Sequence, residues 1–427
     1  MTAGLGGMGQ MTKAIFRALA IVVALFLGTS LPPARAADPI KIGFSMALTG
    51  GNAGAGQQIL AALQIWREEV NAKGGLLGRP VEFVYYDDQT NPTTVPGIYT
   101  KLLEVDKVDL LLGPYATNMA AAAIPTLIEH KRASFGILAT AANSQFHYPG
   151  YFSINNTGPD PERAVSTGFF EIAMAQNPKP KTIALAGSDA EFGQNALAGA
   201  RANAKAAGLQ IVYDRAYPPP TADFTPIVRA IQATSPDIVY VAAYPPDSIG
   251  FIRAANQVGL KPKQFGGFFI GVGIAAMKMQ LGPLMNGIVN YGALLPTPNV
   301  MTPELDSLMK KYQERAKSLG IDPLGWTFAP FGYATGEVIA AAVNGTQSLD
   351  HAKIIDYLHS HPIKTILATF SFGPDGEWTT SDTMFYQMRG IKNGSLEEVG
   401  NVDRYPIVWP DKLKTGTLIY PYADAQK

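Results

Sequence analysis

Three groups of residues in this 427-residue chain have the types that phosphate binding, metal binding or hydrolysis would require. The first is GFSMALTGGNAGAGQQI, Gly43 to Ile59, where a glycine-rich turn joins a strand-like segment to a helical one. Such a turn can hold phosphate through bare backbone amides at a helix N-terminus. The spacing argues against it. Gly54 and Gly56 are followed by Ile59 where G-x-G-x-x-G has its third glycine, and no G-K-[ST] follows. The glycines are expected instead to let the loop approach a ligand closely, with Gln57 opening the first helix. The second group is Asp87-Asp88 with Asn91 nearby. The D-x-[DN]-x-[DN]-G pattern is absent, so a solvated strand end is expected rather than a metal site. The third is the set of five histidines, His130, His147, His351, His359 and His361. No H-E-x-x-H occurs, and His359 and His361, two apart beside Pro362, read as surface residues. There is no cysteine nucleophile and no G-x-S-x-G elbow. Two carboxylates meeting in a cleft need no local motif, and the sequence leaves that case open.

The N-terminus fixes the compartment. Lys13 and Arg17 form a positive n-region, Ala18 to Pro33 an apolar core, and Ala34-Arg35-Ala36 a small-residue cleavage site, so a signal peptide over 1–36 is expected, with cleavage near Ala36/Ala37. The absence of cysteine excludes a disulfide scaffold and also lipid anchoring, which needs a cysteine after the cleavage site. A periplasmic protein fits. The whole chain has net charge zero, and loss of Lys13, Arg17 and Arg35 leaves about −3, which argues against nucleic acid as a partner.

The remainder alternates strand-like and helix-like segments from Ile40 to about Asn290. IKIGFSM, VEFVYYDD, VDLLLGP and ASFGILA are strands separated by helices. After the linker-like NNTGPDPER the rhythm restarts with KTIALAGS, LQIVYDRAY, DIVYVAAY and QFGGFFIG. Helices over Pro303 to Gly320, Phe331 to Asn344 and Leu349 to Ser360 follow. ATFSFGPDGEW and MFYQMRGIKNG then read as a two-strand pattern joined by a Gly/Pro turn. This is an α/β protein of two Rossmann-like, doubly wound parallel-sheet lobes. Ligands of such sheets bind beyond the carboxyl ends of the strands, which directs attention to the loops Ser45–Gly56, Gly113–Met119, Leu138–Asn143, Gly187–Gly193, Ala243–Asp247 and Gly267–Gly273.

At these loops the chain resembles the leucine-binding-protein family, the type I periplasmic substrate-binding proteins of ABC transporters. The resemblance is carried by the long run from IKIGFSMALTGG to FVYYDDQTNP, including Val70-Asn71-Ala72-Lys73-Gly74-Gly75, and by LLGPYATNMAAAAIP, GSDAEFGQNAL and ADFTPIVRAIQATSPDIVYVAAYPPDSIGFIRAANQVGL. It covers essentially the whole mature chain. It implies ligand capture without catalysis or cofactor, with a small-molecule ligand and ABC permease membrane subunits as partners, and a monomer. It also implies a three-segment hinge near Asn155–Gly158, Tyr291–Pro296 and Thr380. The lobes would be 37–157 plus 291–380, and 158–290 plus 381–427.

Family members hold an amino-acid carboxylate with hydroxyls and backbone amides. The matching positions here are Thr117, and Leu138 through its backbone with Thr140. Donors at a helix N-terminus suit a carboxylate on physical grounds, although Thr117 could equally be a plain N-cap. On the second lobe the family's aromatic positions fall at Phe192 and Tyr244, with Tyr115 and Phe146 as further candidates. These rings could also simply cover interlobe area. The family's acidic partner for the ligand ammonium falls at about Phe269, and no Asp or Glu lies between Asp247 and Glu304. A buried ammonium without a counter-charge is costly. The ligand is therefore expected to lack an α-ammonium and, beside Tyr115, Phe192, Tyr244, Phe268 and Phe269, to be an aromatic or apolar carboxylate. The alternative is that Phe268 and Phe269 are buried strand residues and Asp189 or another acid pairs with an ordinary amino acid. A ligand-sensing module for a membrane receptor, or a secreted enzyme on the same scaffold, are the rival classes.

Overall fold

The structure is a computed structural model that describes residues 38–270 and 273–427. The expected signal peptide lies outside the described residues. The first lobe begins with β1 (Ile40–Met46), α1 (Ala53–Ala72), β2 (Val81–Asp87), α2 (Val95–Glu104), β3 (Leu110–Leu111), α3 (Thr117–Glu129), β4 (Ser134–Ile137) and β5 (Tyr151–Ile154). The chain then crosses to α4 (Pro161–Met174), β6 (Thr182–Ser188), α5 (Glu191–Ala206), β7 (Gln210–Tyr217), α6 (Thr225–Ala233), β8 (Ile238–Ala242), α7 (Pro245–Val258), β9 (Gln264–Phe268), α8 (Ala275–Leu281) and β10 (Val289–Gly292). It returns as α9 (Pro303–Leu319), α10 (Ala329–Thr346), α11 (His351–Ser360), β11 (Ile363–Lys364) and β12 (Thr369–Phe370). A last crossing leads to β13 (Met384–Gln387), α12 (Leu396–Gly400) and β14 (Ile407–Trp409).

The described strands form two main parallel layers, one in each lobe, and the small antiparallel pair β11-β12. In the first lobe β2-β1-β3 form one parallel sheet and β4-β5 another. A bridge between Tyr115 and Ile137, and the Gly113 amide on the Phe135 carbonyl at 2.8 Å, join the two. The second sheet has seven strands in the order β14-β13-β10-β9-β8-β6-β7, parallel from β7 to β10, with β13 and β14 antiparallel. Every residue of β8 and β9 is buried, as expected of central strands covered by helices on both faces. Ile59, Leu63 and Trp66, at helical spacing in α1, are buried, and α10 packs along α1. The three crossings meet at Asn156. Its Nδ2 donates to the Ala293 carbonyl at 2.8 Å and to the Asp382 carbonyl at 3.0 Å, and its Oδ1 accepts from the Tyr291 hydroxyl at 3.1 Å.

Several sequence expectations differ from the structure. The first helix opens at Ala53, not Gln57. The linker-like stretch leads straight into α4, capped by Asp160, whose Oδ1 accepts from the Arg163 amide at 3.3 Å, with Pro161 in the first turn. ATFSFGPDGEW and MFYQMRGIKNG do not pair. β12 pairs with β11, and β13 joins β10 and β14 in the other lobe. Asp88 is buried rather than solvated. It accepts from Ser45 Oγ and the Thr90 amide, both at 3.0 Å, while Asp87 takes the Leu48 and Thr49 amides, so the pair stitches the loop after β1 to the end of β2. His351 is a buried staple. Its Nδ1 accepts from the Ala133 amide at 2.9 Å and its Nε2 lies 3.0 Å from the Asp109 carbonyl. Among the described residues no group of three metal-ligating side chains comes together, and no described helix is long and apolar enough to cross a membrane.

Candidate functional site

The loops at the carboxyl ends of β3 and β4 make one wall. Thr117 is the first residue of α3, and the cap position is Ala116, which has no side-chain oxygen to offer the first-turn amides. Thr117 is therefore not the helix N-cap. Its Oγ1 accepts instead from the Thr140 amide at 3.0 Å, so the two threonines are directly linked. Thr140 Oγ1 accepts from Asn155 Nδ2 at 3.3 Å. Ala116, Leu138 and Ala141 all hold positive φ (78°, 49° and 55°), a backbone conformation that non-glycine residues adopt at a cost and that concentrates at ligand sites. Both threonines and Leu138 are buried.

The loops after β6, β8 and β9 make the opposite wall, which is aromatic. Phe192 stacks on Tyr244 with centroids 4.5 Å apart and on Phe268 at 4.8 Å, and Phe269 lies 4.7 Å from Phe268. Phe269 also stacks on Phe328 at 6.4 Å, and Phe328 meets Tyr115 edge-on at 5.6 Å. A continuous row of rings thus runs from Tyr115 on one wall to Tyr244 on the other. The Tyr244 hydroxyl is buried with no hydrogen-bond partner, although the Asn118 backbone lies beside it, and burial pushes its pKa well above the ordinary value. A polar atom left so pairs readily with an incoming acceptor or donor.

The walls touch. Asn195 Nδ2 on α5 donates to the Thr140 carbonyl at 3.2 Å, and the Phe192 amide donates to Asn118 Oδ1 at 3.0 Å. The loop after β1 joins them. A Cβ on Gly54 would stand 2.7 Å from Ile274 Cδ1, so the missing side chain lets the second lobe close over this rim. A Cβ on Gly56 would stand 2.0 Å from the Ala47 carbonyl oxygen, which seats the loop on its own helix. The glycine run accordingly serves close packing.

Of the sequence candidates, Tyr115, Thr117, Leu138, Thr140, Phe192, Tyr244 and Phe269 lie on these two walls. Phe146 does not join them: it is 36 % exposed and makes no ring contact among the described residues. Asp189 is exposed and accepts from Gln194 Nε2 at 2.7 Å, so the acid proposed as an alternative ammonium partner is engaged elsewhere. Asp247 is likewise taken, by the Tyr217 hydroxyl at 3.3 Å. Phe328, Tyr291 and Asn195 were not anticipated. Phe328 precedes α10 and arrives by the return of the chain from the second lobe, for which WTFAPF gives no local signal.

Residues 39–395 match the family model described as periplasmic binding protein. The chain belongs to that family. It is 25 % identical over 388 residues to an amino acid binding protein of Pseudomonas aeruginosa, covering 88 % of this chain and 97 % of that one. Among solved structures, the branched-chain amino acid substrate-binding protein LivJ of Streptococcus pneumoniae, in complex with isoleucine, superimposes with a TM-score of 0.69 at 19 % identity, covering 87 % of this chain and all of that chain. A solute-binding protein of an ABC transporter from R. palustris, in complex with benzoate, does so at 0.69 and 20 % identity, covering 83 % and 94 %. The two-sheet architecture is that of type I periplasmic binding proteins, and the family consists of substrate-binding transport proteins. The rings and threonines described above occupy the carboxyl ends of strands in both sheets, where open parallel sheets bind their ligands.

Proposed function

We propose that this periplasmic binding protein captures a small carboxylate with an aromatic or apolar body and no α-ammonium, and delivers it to the membrane subunits of an ABC uptake transporter. The lobes, 37–157 plus 291–380 and 158–290 plus 381–427, close on the ligand about the three crossings, which act as the hinge. Export follows cleavage near Ala36/Ala37. The observation that carries this reading is the wall formed by Phe192, Tyr244, Phe268 and Phe269, whose face is made of stacked rings while Asp189 and Asp247 are bonded to Gln194 and Tyr217. An ammonium buried among these rings would have to be balanced by Glu191 or Asp247 from outside the ring face, a costly arrangement. On the facing wall, the hydroxyls of Thr117 and Thr140, which only accept from protein groups, and the uncapped first turn of α3 are donors suited to a carboxylate. Flat faces favour an aromatic ligand through offset or edge-on stacking.

A thermal-shift panel of aromatic acids, aliphatic acids, amides and branched amino acids tests this. Ligand at a hundred times its dissociation constant stabilises by about 2.7 kcal/mol, which is readily seen. Aromatic acids are expected to shift the melting temperature, and Thr140→Val should remove the shift while circular dichroism remains native. The amino-acid names of its relatives favour a second reading, a branched-chain amino acid or amide as ligand. A shift with leucine or valine and none with the corresponding des-amino acids would establish that reading and reject ours.

A further inference from the structure

Phe269 and Tyr291 line a second hollow beside the row of rings, together with Lys278, Trp326, Tyr386 and Tyr405. Its walls leave about 20 Å³ of open room, space for one oxygen-sized atom. The polar groups around it divide sharply. The three tyrosine hydroxyls are engaged: Tyr291 donates to Asn156, Tyr405 donates to the Val399 carbonyl at 2.7 Å, and Tyr386 accepts from Asn290 at 3.1 Å. Two groups are left over. Trp326 Nε1 is buried and has no partner. The Lys278 ammonium lies 4.5 Å from the centroid of the Tyr405 ring, and among the described residues no carboxylate is within ion-pair distance of it. The nearest acid, Asp322, accepts from the Ala275 amide with one oxygen and from the Leu324 and Gly325 amides with the other.

Both leftover groups are donors, and neither can accept. Lys278 is half-buried; burial lowers its pKa to about 8, while the charge of Asp322 and the ring face of Tyr405 favour the ammonium. A carboxylate oxygen satisfies the ammonium and the indole N–H together, through charge-assisted hydrogen bonds. We infer that Lys278 and Trp326 seat a second acidic group of the ligand, which makes the ligand class a flat acid carrying carboxylates at both ends. The inference rests on the reading of the cleft as a carboxylate site. Thr117 and Thr140 take one end, and Phe328 and Phe269 supply faces along the body. At this point the second lobe offers a cation to an anion.

Titration calorimetry with terephthalate and its single-acid analogue 4-methylbenzoate tests the seat. The wild-type protein should bind the diacid about tenfold or more tightly than the monoacid. Lys278→Met should bring the two within about twofold of each other, and Lys278→Arg should keep most of the preference. Trp326→Phe should reduce it. Equal affinities in the wild type, or a preference that survives Lys278→Met, would overturn the seat, while binding of the monoacid would leave the cleft reading standing. A hollow that only holds a bridging water gives that equal-affinity result. If neither acid binds at millimolar concentration, both readings fall together.

Discussion

Glu377, in the turn after β12, is 7 % exposed, and neither of its carboxylate oxygens has a partner. Burial pushes its pKa from an ordinary 4.5 up to about 8. The folded chain therefore keeps a proton that the unfolded chain has lost. The stabilisation is whole below about pH 4.5 and disappears as the pH rises through about 8. His351 acts in the opposite sense: burial lowers its pKa to about 4, so its contribution is present above pH 6.5 and is lost as the pH falls towards 4. Glu337, raised to about 7, adds to the Glu377 trend. Between pH 6.5 and 8 the carboxylates dominate. Urea unfolding over that interval should show stability falling by at most about 1.4 kcal/mol per pH unit for each proton. Glu377→Gln should flatten the slope, and a slope unchanged in that variant would place the buried charge elsewhere. At this scale the sequence was informative where a residue sits next to a readable strand end. Thr117, Thr140, Phe192 and Tyr244 all follow strands that the hydrophobic pattern marks, and the structure brings them to facing walls. Phe328 follows no such signal, because it reaches its place only once the chain has returned from the second lobe, while Asn195 and Lys278 sit within the helices beyond such strands, where no strand end marks them.

Strands and helices were legible in proportion to how local their causes are. The parallel strands of both lobes, from IKIGFSM to QFGGFFIG, announce themselves as short apolar runs bounded by turns. α4 is hidden by the Asn, Gly and Pro upstream, which read as a linker, although Asp160 and Pro161 make a standard helix start. The segments of β12 and β13 read as partners of each other and are not, since pairing is decided by which lobe each segment returns to. The two glycines of β9 had no visible reason in the sequence and have a plain one in the sheet. A Cβ on Gly266 would lie 1.7 Å from the Val289 carbonyl oxygen, and one on Gly267 (φ +149°) 2.0 Å from the Val241 carbonyl oxygen. Gly266→Ala must therefore force β9 and β10 apart. A loss of about 2 kcal/mol or more is expected in chemical denaturation, with ligand binding lost alongside it because Phe268 and Phe269 sit at the end of that strand. Wild-type stability in this variant would contradict the tight β9–β10 packing.

Across the whole molecule, the walls are held together by the row of rings through Phe328 and by a few polar contacts. Asn195 reaches the Thr140 carbonyl, and Asn118 receives the Phe192 amide. Neither contact uses the threonine hydroxyls or the ring faces. Asn195→Ala and Asn118→Ala should lower the fraction of closed protein and weaken every ligand by one common factor, because apparent affinity scales with the population of the competent state. Small-angle scattering should record a larger radius of gyration for these variants without ligand. A loss confined to one ligand class would mean instead that the asparagines contact the ligand. The carboxamide of Asn156 has a consequence of another kind. It gathers three separate passages of backbone into a single pin. In the closure proposed above the two halves would share this one pivot, and severing any one passage would leave two others to keep them from drifting apart.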